Sequence, residues 1–160
     1  MKRFALILAL PLFLATAAHA APVVFMVRHA EKASTGGKDP DLSLQGQKRA
    51  DALANILKDS QITSVFVTEF KRTQETAAPV AKAAQVSPTV VPANDIAGLV
   101  EKLRALNGNA LVVGHGNTIP DLLKALGVAT PVGIPDDDYN EIFVVLTGDT
   151  PQLVRLHYPF

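Results

Sequence analysis

Two short apolar segments of this chain each end abruptly on a histidine. The first, 23–27, runs into Arg28 and His29, and the second, 110–113, runs through a glycine into His115. Runs of β-favouring residues bounded by polar or glycine positions indicate buried strands, so both histidines should lie just past the carboxyl ends of strands. Because ligands of open α/β sheets bind at that edge, the pattern predicts a site where the two histidines meet.

A second arginine follows a third apolar run. This run is 64–67, and Arg72 comes shortly after it, at the expected start of a helix. Arg28 and Arg72 would then approach the two histidines at the same edge of the sheet. Two guanidinium groups without carboxylate partners repel each other, so their convergence makes most sense where an anion lies between them. A guanidinium binds two oxygens of a phosphoryl group at once and keeps its charge at ordinary pH, which makes phosphate the expected anion.

The other patterns along the chain predict an α/β fold. Strands are expected at 23–27, 64–67, 89–91, 110–113, 141–146 and 152–156, and helices after Ser43 through Leu57 and at 72–84, 96–106 and 119–126. The alternation of strand and helix predicts a three-layer sandwich, with a mostly parallel sheet and helices on both faces. The last two strands are separated only by 147–151, which is hairpin length and predicts an antiparallel edge strand.

Three motifs resemble those of a known superfamily. The segment 28–31, Arg-His-Ala-Glu, is similar to the Arg-His-Gly signature of the histidine phosphatase (phosphoglycerate mutase-like) superfamily, with alanine where glycine is usual. The segment 115–117 resembles the second histidine motif of that superfamily, and 72–77 resembles its arginine-led helix start. All three occur in the superfamily's order. The short segment 86–109 between helix and second histidine resembles the small phosphohistidine phosphatases more than the mutases.

The resemblance implies a role for each of these residues. His29 would be the nucleophile that takes the phosphoryl group, while Arg28 and Arg72 would clamp its oxygens. His115 would contribute a hydrogen bond, with or without a charge, to the transferring group. Asn117 would contact substrate oxygens near a helix start. No cofactor is implied.

The proton donor for the leaving group stays open among three acids. An alkoxide leaving group needs a carboxylic acid opposite the nucleophile. In 86–109 the only acids are Asp95 and Glu101, and we favour Asp95, although it could instead cap the following helix. Glu31, which we also place among the substrate contacts, and Glu69 are the competitors.

Several other kinds of chemistry are disfavoured. The chain has no cysteine, which excludes thiol nucleophiles and thiolate metal sites. It contains neither the HExxH pattern of zinc peptidases nor a GxSxG nucleophile elbow. The three consecutive aspartates 136–138 point in different directions and indicate a solvated loop, so no metal is expected. With 15 basic and 15 acidic residues, the chain has no basic surface charge for nucleic acid.

The first twenty residues read as a secretory signal peptide. Lys2 and Arg3 precede an apolar stretch, 4–14, and Ala18-His19-Ala20 offers small residues for cleavage. We therefore expect a single domain over 21–160, periplasmic or secreted, with no stable membrane association after cleavage.

The sequence as a whole predicts an exported, metal-independent phosphatase. Its substrates would be phosphomonoesters or phosphohistidine, carried by a small molecule or a phosphoprotein. A phosphate-binding module without turnover and a phosphomutase are the alternatives.

Overall fold

The computed structural model describes residues 21–158, which form a mixed six-stranded sheet in the order β3-β2-β4-β1-β5-β6. The strands are β1 Val23–Arg28, β2 Ile62–Val67, β3 Thr89–Val90, β4 Asn109–Gly114, β5 Glu141–Leu146 and β6 Gln152–His157. Strands β3, β2, β4 and β1 run parallel, while β5 is antiparallel to β1 and β6 is antiparallel to β5. The predicted mostly parallel sheet with an antiparallel edge is confirmed.

Four helices cover the two faces of this sheet. They are α1 Leu44–Leu57, α2 Lys71–Ala84, α3 Ile96–Arg104 and α4 Thr118–Ala125. Buried side chains of α1 and α2 share one core cluster with Val27 and Leu111, whereas those of α3 and α4 share another with Met26 and Val112. The three-layer architecture predicted from the sequence is therefore confirmed. Because both faces are covered, β1 and β4 are apolar almost throughout rather than alternating.

Small differences from the prediction lie at element ends. Strand β2 begins at Ile62 rather than Ser64. Its register with β4 shifts between these two residues, and Thr63 between them is exposed. Helix α3 stops at Arg104, two positions before the predicted end. Helix α2 retains Pro79 in its interior.

The pairing of β1 with β4 places the two histidine motifs side by side. Arg28 stands opposite Gly114 in the register, and the amide of His29 donates to the carbonyl of Gly114 at 2.9 Å. His29 and His115 therefore follow directly after neighbouring, parallel strand ends, as expected.

The first turn of α1 packs closely on the chain that follows His29. Ser43 caps this helix by accepting from the amide of Gly46 at 3.0 Å, and its own amide donates to the carbonyl of Glu31 at 2.9 Å. A Cβ at Gly46 would lie 2.2 Å from that same carbonyl oxygen. Only glycine allows the helix to approach this closely, so the first turn of α1 packs directly against the backbone of Glu31, two residues after His29.

The predicted signal peptide, 1–20, lies outside the described residues, and so do the last two positions of the predicted domain, 159–160. Within 21–158, none of the helices is both long and apolar enough to cross a bilayer.

Candidate active site

A cleft of about 740 Å³ opens at the carboxyl edge of the parallel strands. Five residues predicted to form the site line it: Arg28, His29, Arg72, His115 and Asn117. The two imidazole rings stand edge to face with 5.3 Å between their centroids. The structure thus brings together side chains that come from β1, α2 and the turn between β4 and α4.

His29 presents an unprotonated nitrogen to this cleft. Its ring is almost fully buried, and Nδ1 lies 2.8 Å from the carbonyl oxygen of Ala30. A carbonyl can only accept, so Nδ1 carries the hydrogen and Nε2 is left with a free lone pair. Burial lowers the pKa of His29 to about 3, against the hydrogen bond to Ala30, and the charges of His115, Arg72 and Arg28 lower it further. His29 is neutral at ordinary pH, as a nitrogen nucleophile must be.

Thr76 of α2 ties the histidine segment to the arginine-bearing helix. Its hydroxyl accepts from the amide of Ala30 at 2.9 Å and donates to the carbonyl of Arg72 at 2.6 Å. Both Thr76 and Ala30 are completely buried. The single hydroxyl therefore couples the position of His29 to the first turn of α2.

Arg28 reaches across the cleft to the loop before β5. Its Nη1 donates to the backbone carbonyls of Pro135 and Asp136, each at 2.8 Å, and of Asp138 at 3.1 Å. The guanidinium lies over the ring of Tyr139, 4.3 Å from its centroid. These contacts close one wall of the cleft.

The Nε groups of Arg28 and Arg72 are buried and have no partner among residues 21–158. Arg72 stacks on Phe70 at 4.2 Å and pairs through Nη1 with Asp39 at 3.6 Å. A buried donor without a partner costs about 1–3 kcal/mol, and more when it is charged. Both arginines also line the cleft, where their positive charge suits the phosphate oxyanion that the sequence predicts.

The imidazole of His115 forms a hydrogen bond with the hydroxyl of a buried threonine. Its Nε2 lies 3.0 Å from Oγ1 of Thr68, and its backbone amide donates to Oγ1 of Thr118 at 3.0 Å. Burial and the charge of Arg72 lower the pKa of His115 to about 4, against the opposing charge of Glu69, and Arg28 adds to the lowering. His115 is therefore also neutral before a ligand binds. Asn117 occupies the N-cap position of α4 but makes no side-chain cap.

The three acids considered from the sequence are engaged elsewhere. Asp95 caps α3 by accepting from the amide of Gly98 at 2.9 Å, and Glu69 accepts from the amide of Ala93 at 2.8 Å. None of the three acids lines the cleft. Asp95 takes the capping role that was noted as its alternative, and its assignment as proton donor stays a prediction.

Glu31 also differs from its expected position as a substrate contact. Both of its carboxylate oxygens accept from Arg49, with Nη2 to Oε1 at 2.6 Å and Nε to Oε2 at 2.8 Å. Arg49 holds the pKa of Glu31 below its ordinary value against the effect of burial. Glu31 thus anchors the chain after His29 to α1, and its contact with a substrate stays a prediction.

Two carboxylates that the sequence did not single out as acids do line the cleft. Asp121 belongs to the first turn of α4 and Asp136 to the loop that Arg28 holds, and both are exposed. Asp121 could have been noticed, because a helix that starts directly after His115 projects its first turn towards the same strand end. Within 21–158 no group of three or more histidine, cysteine or acidic side chains is arranged to hold a metal ion, and this includes 136–138.

Comparisons with known proteins agree with this geometry. The sequence matches the profile of the histidine phosphatase superfamily, branch 1, over residues 24–95. A search of curated proteins finds no match.

Solved structures share the fold at low sequence identity. The protein histidine phosphatase SixA complexed with tungstate is 24% identical with a TM-score of 0.71, over 84% of this chain and 96% of that one. SixA from Agrobacterium tumefaciens is 19% identical with a TM-score of 0.64, over 85% and 98%. Mycobacterial glucosyl-3-phosphoglycerate phosphatase complexed with VO3 is 16% identical with a TM-score of 0.69, over 87% and 100%.

The buried histidines predict a pH dependence of stability. An unfolded histidine takes up its proton near the ordinary pKa of 6.5, whereas the pKa is about 3 for folded His29 and about 4 for folded His115. Between these values the unfolded chain binds more protons. The free energy of unfolding should therefore fall as pH is lowered from about 6.5, by at most about 1.4 kcal/mol per pH unit for each histidine.

Urea unfolding in phosphate-free buffer, from about pH 7 down to about pH 5, measures this slope. His115→Gln should lose part of it, because glutamine does not titrate. His157→Gln, at an exposed position, is the matched control. An identical slope in wild type and His115→Gln would contradict the prediction.

Proposed function

We propose that the chain belongs to the histidine phosphatase superfamily and hydrolyses phosphoric monoesters, that it is exported and works without a metal ion, and that it passes the phosphoryl group through His29. The observation that carries this proposal is the bare Nε2 of His29, fixed by the hydrogen bond from Nδ1 to Ala30, in a cleft that Arg28 and Arg72 also line.

In the proposed first step the phosphoryl group moves from the substrate to the enzyme. Arg28 and Arg72 bind its nonbridging oxygens and balance their charge. The lone pair on Nε2 of His29 forms a bond to phosphorus while the bond from phosphorus to the leaving group breaks. The departing oxygen or nitrogen takes a proton from a solvent water molecule, because no described carboxyl group is well placed to donate one. Water then attacks phosphorus, which releases phosphate and restores neutral His29.

The low pKa of His29 suits both halves of this reaction. Before transfer the imidazole stays neutral beside two cations, because a further positive charge there is costly. After transfer the ring carries a phosphoryl group whose negative oxygens lie between the arginines. The charge arrangement that disfavours the protonated imidazole thus favours the phosphorylated one.

Metal-independent chemistry is supported by the charges of the cleft. Arg28 and Arg72 line the cleft and supply fixed positive charge where a metal-dependent phosphatase would use a cation. The same two charges would repel a divalent ion from the histidines.

The fold similarity supports phosphohistidine as well as ester substrates. Solved structures of this fold include a protein histidine phosphatase and a phosphatase of a glucosylated phosphoglycerate, each complexed with an oxyanion. Both types of substrate present the same phosphoryl group to the clamp, and they differ only in the leaving atom.

The first test replaces the nucleophile. His29→Ala should lower kcat on an aryl phosphate by about 10³-fold or more, because the covalent route is lost. His157→Ala, at an exposed histidine, should retain activity. Quenching of wild type with labelled substrate should trap a phosphoenzyme that is stable in alkali and labile in acid, and His29→Ala should trap none.

The same assay tests metal independence. Prior treatment with a chelator should leave the rate unchanged, whereas vanadate should inhibit as a phosphoryl mimic. Loss of activity in chelator that one metal restores would refute this part of the proposal, as full activity of His29→Ala would refute the nucleophile.

A second test concerns the leaving group. The described carboxylates near the cleft are exposed or hold backbone amides, so protonation of an alkoxide should be inefficient. A well-placed acid contributes about 10²–10⁴-fold. We therefore expect kcat/KM to be about 10²-fold or more higher for aryl phosphates and phosphohistidine than for alkyl phosphates.

Asn variants identify any acid that does help. Asp121→Asn and Asp136→Asn should slow alkyl substrates more than aryl ones if either acid donates the proton. Asp95→Asn should change neither, since asparagine caps a helix as well as aspartate does. A selective loss on alkyl phosphates in Asp95→Asn would restore the sequence-based assignment.

Export is tested at the amino terminus. Protein recovered from the periplasm or the medium should begin at Ala21, because the proposed cleavage follows Ala20. Mass spectrometry of the recovered protein decides this. An intact Met1 in a membrane fraction would show an anchor in place of a cleaved signal.

A further inference from the structure

A chain of buried hydroxyl groups runs from His115 into the start of α2. Nε2 of His115 lies 3.0 Å from Oγ1 of Thr68, which lies 3.0 Å from Oγ1 of Thr73. Oγ1 of Thr73 in turn lies 2.8 Å from the carbonyl oxygen of Phe70. His115 and Thr68 are less than 9% exposed and Thr73 is completely buried, so solvent does not compete for these contacts.

The number of hydrogens in this chain determines the direction of every bond. Three short contacts between electronegative atoms need three hydrogens. The carbonyl of Phe70 has none, so Thr73 donates to it. Thr68 must then donate to Thr73, because the hydrogen of Thr73 is already used. The contact of Thr68 with His115 therefore needs a hydrogen from the imidazole itself.

Other contacts of Thr73 do not change this count. Its hydroxyl also lies 3.2 Å from the carbonyl of Thr68, which can likewise only accept. The amide of Thr68 donates to Oγ1 of Thr73 at 3.1 Å and uses one of its lone pairs. The second lone pair remains to accept from the hydroxyl of Thr68.

His115 thus carries its hydrogen on Nε2, and in its neutral form Nδ1 is bare. Nδ1 has no hydrogen-bond partner among residues 21–158, and the ring lines the cleft. A bare nitrogen repels a phosphoryl oxygen that carries no proton, since both present lone pairs.

We propose that Thr73, acting through Thr68, holds His115 in the Nε2–H form, so that His115 binds a phosphoryl oxygen only through a proton that arrives with the substrate. This inference rests on the proposed function, because it assumes that the phosphoryl group lies in this cleft. Thr73 is then a positioning residue that determines the ionisation state of the substrate the enzyme accepts.

The proton between His115 and the phosphoryl group comes from the substrate. A phosphoric monoester changes from monoanion to dianion with a pKa of about 6. The monoanion brings its own hydrogen, which lies between a nonbridging oxygen and Nδ1 of His115 in the complex. No proton is created or lost in binding, and the bond to the leaving group is unaffected. The dianion lacks this hydrogen and meets the lone pair of Nδ1 instead.

Charges around His115 act in both directions and come from several elements. Positive groups facing the cleft are Arg28 of β1 and Arg72 of α2, with neutral His29 beside them. Negative groups are Glu69, which raises the pKa of His115, and the two exposed acids of the cleft, Asp121 and Asp136. The arginines keep Nδ1 unprotonated before the substrate arrives, so the hydrogen must come with it.

Replacing Thr73 by valine should reverse the hydroxyl chain. Valine preserves the shape of the side chain but removes the hydroxyl, so the hydrogen of Thr68 is free to point to Nε2 of His115. The imidazole hydrogen can then move to Nδ1 and donate to a dianion. Thr73→Ser retains the hydroxyl and is the matched rescue variant.

Nitrogen-15 NMR of the histidines in the ligand-free wild type is the first readout. It does not need turnover, so it remains informative if the proposed enzymatic function fails. We expect a hydrogen on Nε2 and a bare Nδ1 for His115, assigned by comparison with His115→Gln. A wild-type His115 that carries its hydrogen on Nδ1 would overturn the proposal. The proposal also fails if Thr73→Val folds and leaves the tautomer on Nε2.

The pH profile of kcat/KM is the second readout. In wild type and Thr73→Ser it should fall about tenfold per pH unit above the second pKa of the ester, near pH 6. In Thr73→Val the fall should begin at least about one pH unit higher. A merely structural role of Thr73 would lower the rate at every pH without moving the profile, and identical profiles in all three proteins would refute the proposal. If Thr73→Val does not fold, the wild-type tautomer and its profile decide alone.

Discussion

The site depends on keeping two imidazoles uncharged beside two guanidinium groups. Burial alone disfavours a protonated ring, and the nearby charges of Arg28 and Arg72 disfavour it further, so His29 and His115 both have a low pKa. A free lone pair on His29 is therefore present without a separate base to remove its proton. The other residues around the cleft hold these four side chains in place, and a bound phosphoryl group would balance the two positive charges.

The backbone around the two histidines is supported from several sides at once. The pairing of β1 with β4 aligns the two strand ends, while Thr76 and Gly46 bind the segment after His29 to α2 and α1. The ion pair between Glu31 and Arg49 adds a third connection. Side chains of a site must be held in place by others, and here the supporting groups are the hydroxyl of Thr76, the carboxylate of Glu31 and the close approach that Gly46 allows.

The two histidines illustrate how the same residue type obtains different properties from its partner. A carbonyl can only accept, so Ala30 assigns the hydrogen of His29 to Nδ1 without ambiguity. A hydroxyl can donate or accept, so the tautomer of His115 is decided three contacts away, where the hydroxyl chain ends on the carbonyl of Phe70. The contact between Thr73 and the carbonyl of Phe70 thus determines, through the hydroxyl of Thr68, which nitrogen of His115 carries the hydrogen.

The order of apolar runs and their polar ends predicted the parallel sheet, its two helical layers and the convergence of Arg28, His29, Arg72 and His115, because strand-end positions follow from chain order alone. The placement of acids did not follow. Whether Glu31 meets a substrate or Arg49, and whether Asp95 faces the cleft or caps α3, depends on side-chain directions and on partners far away in the chain. The sequence by itself determined which charged groups and imidazoles meet at one edge of the sheet. Only the tertiary structure decided which ring nitrogens are bare and which carboxylates are already bound, because these depend on distances and on the donors and acceptors that packing brings together.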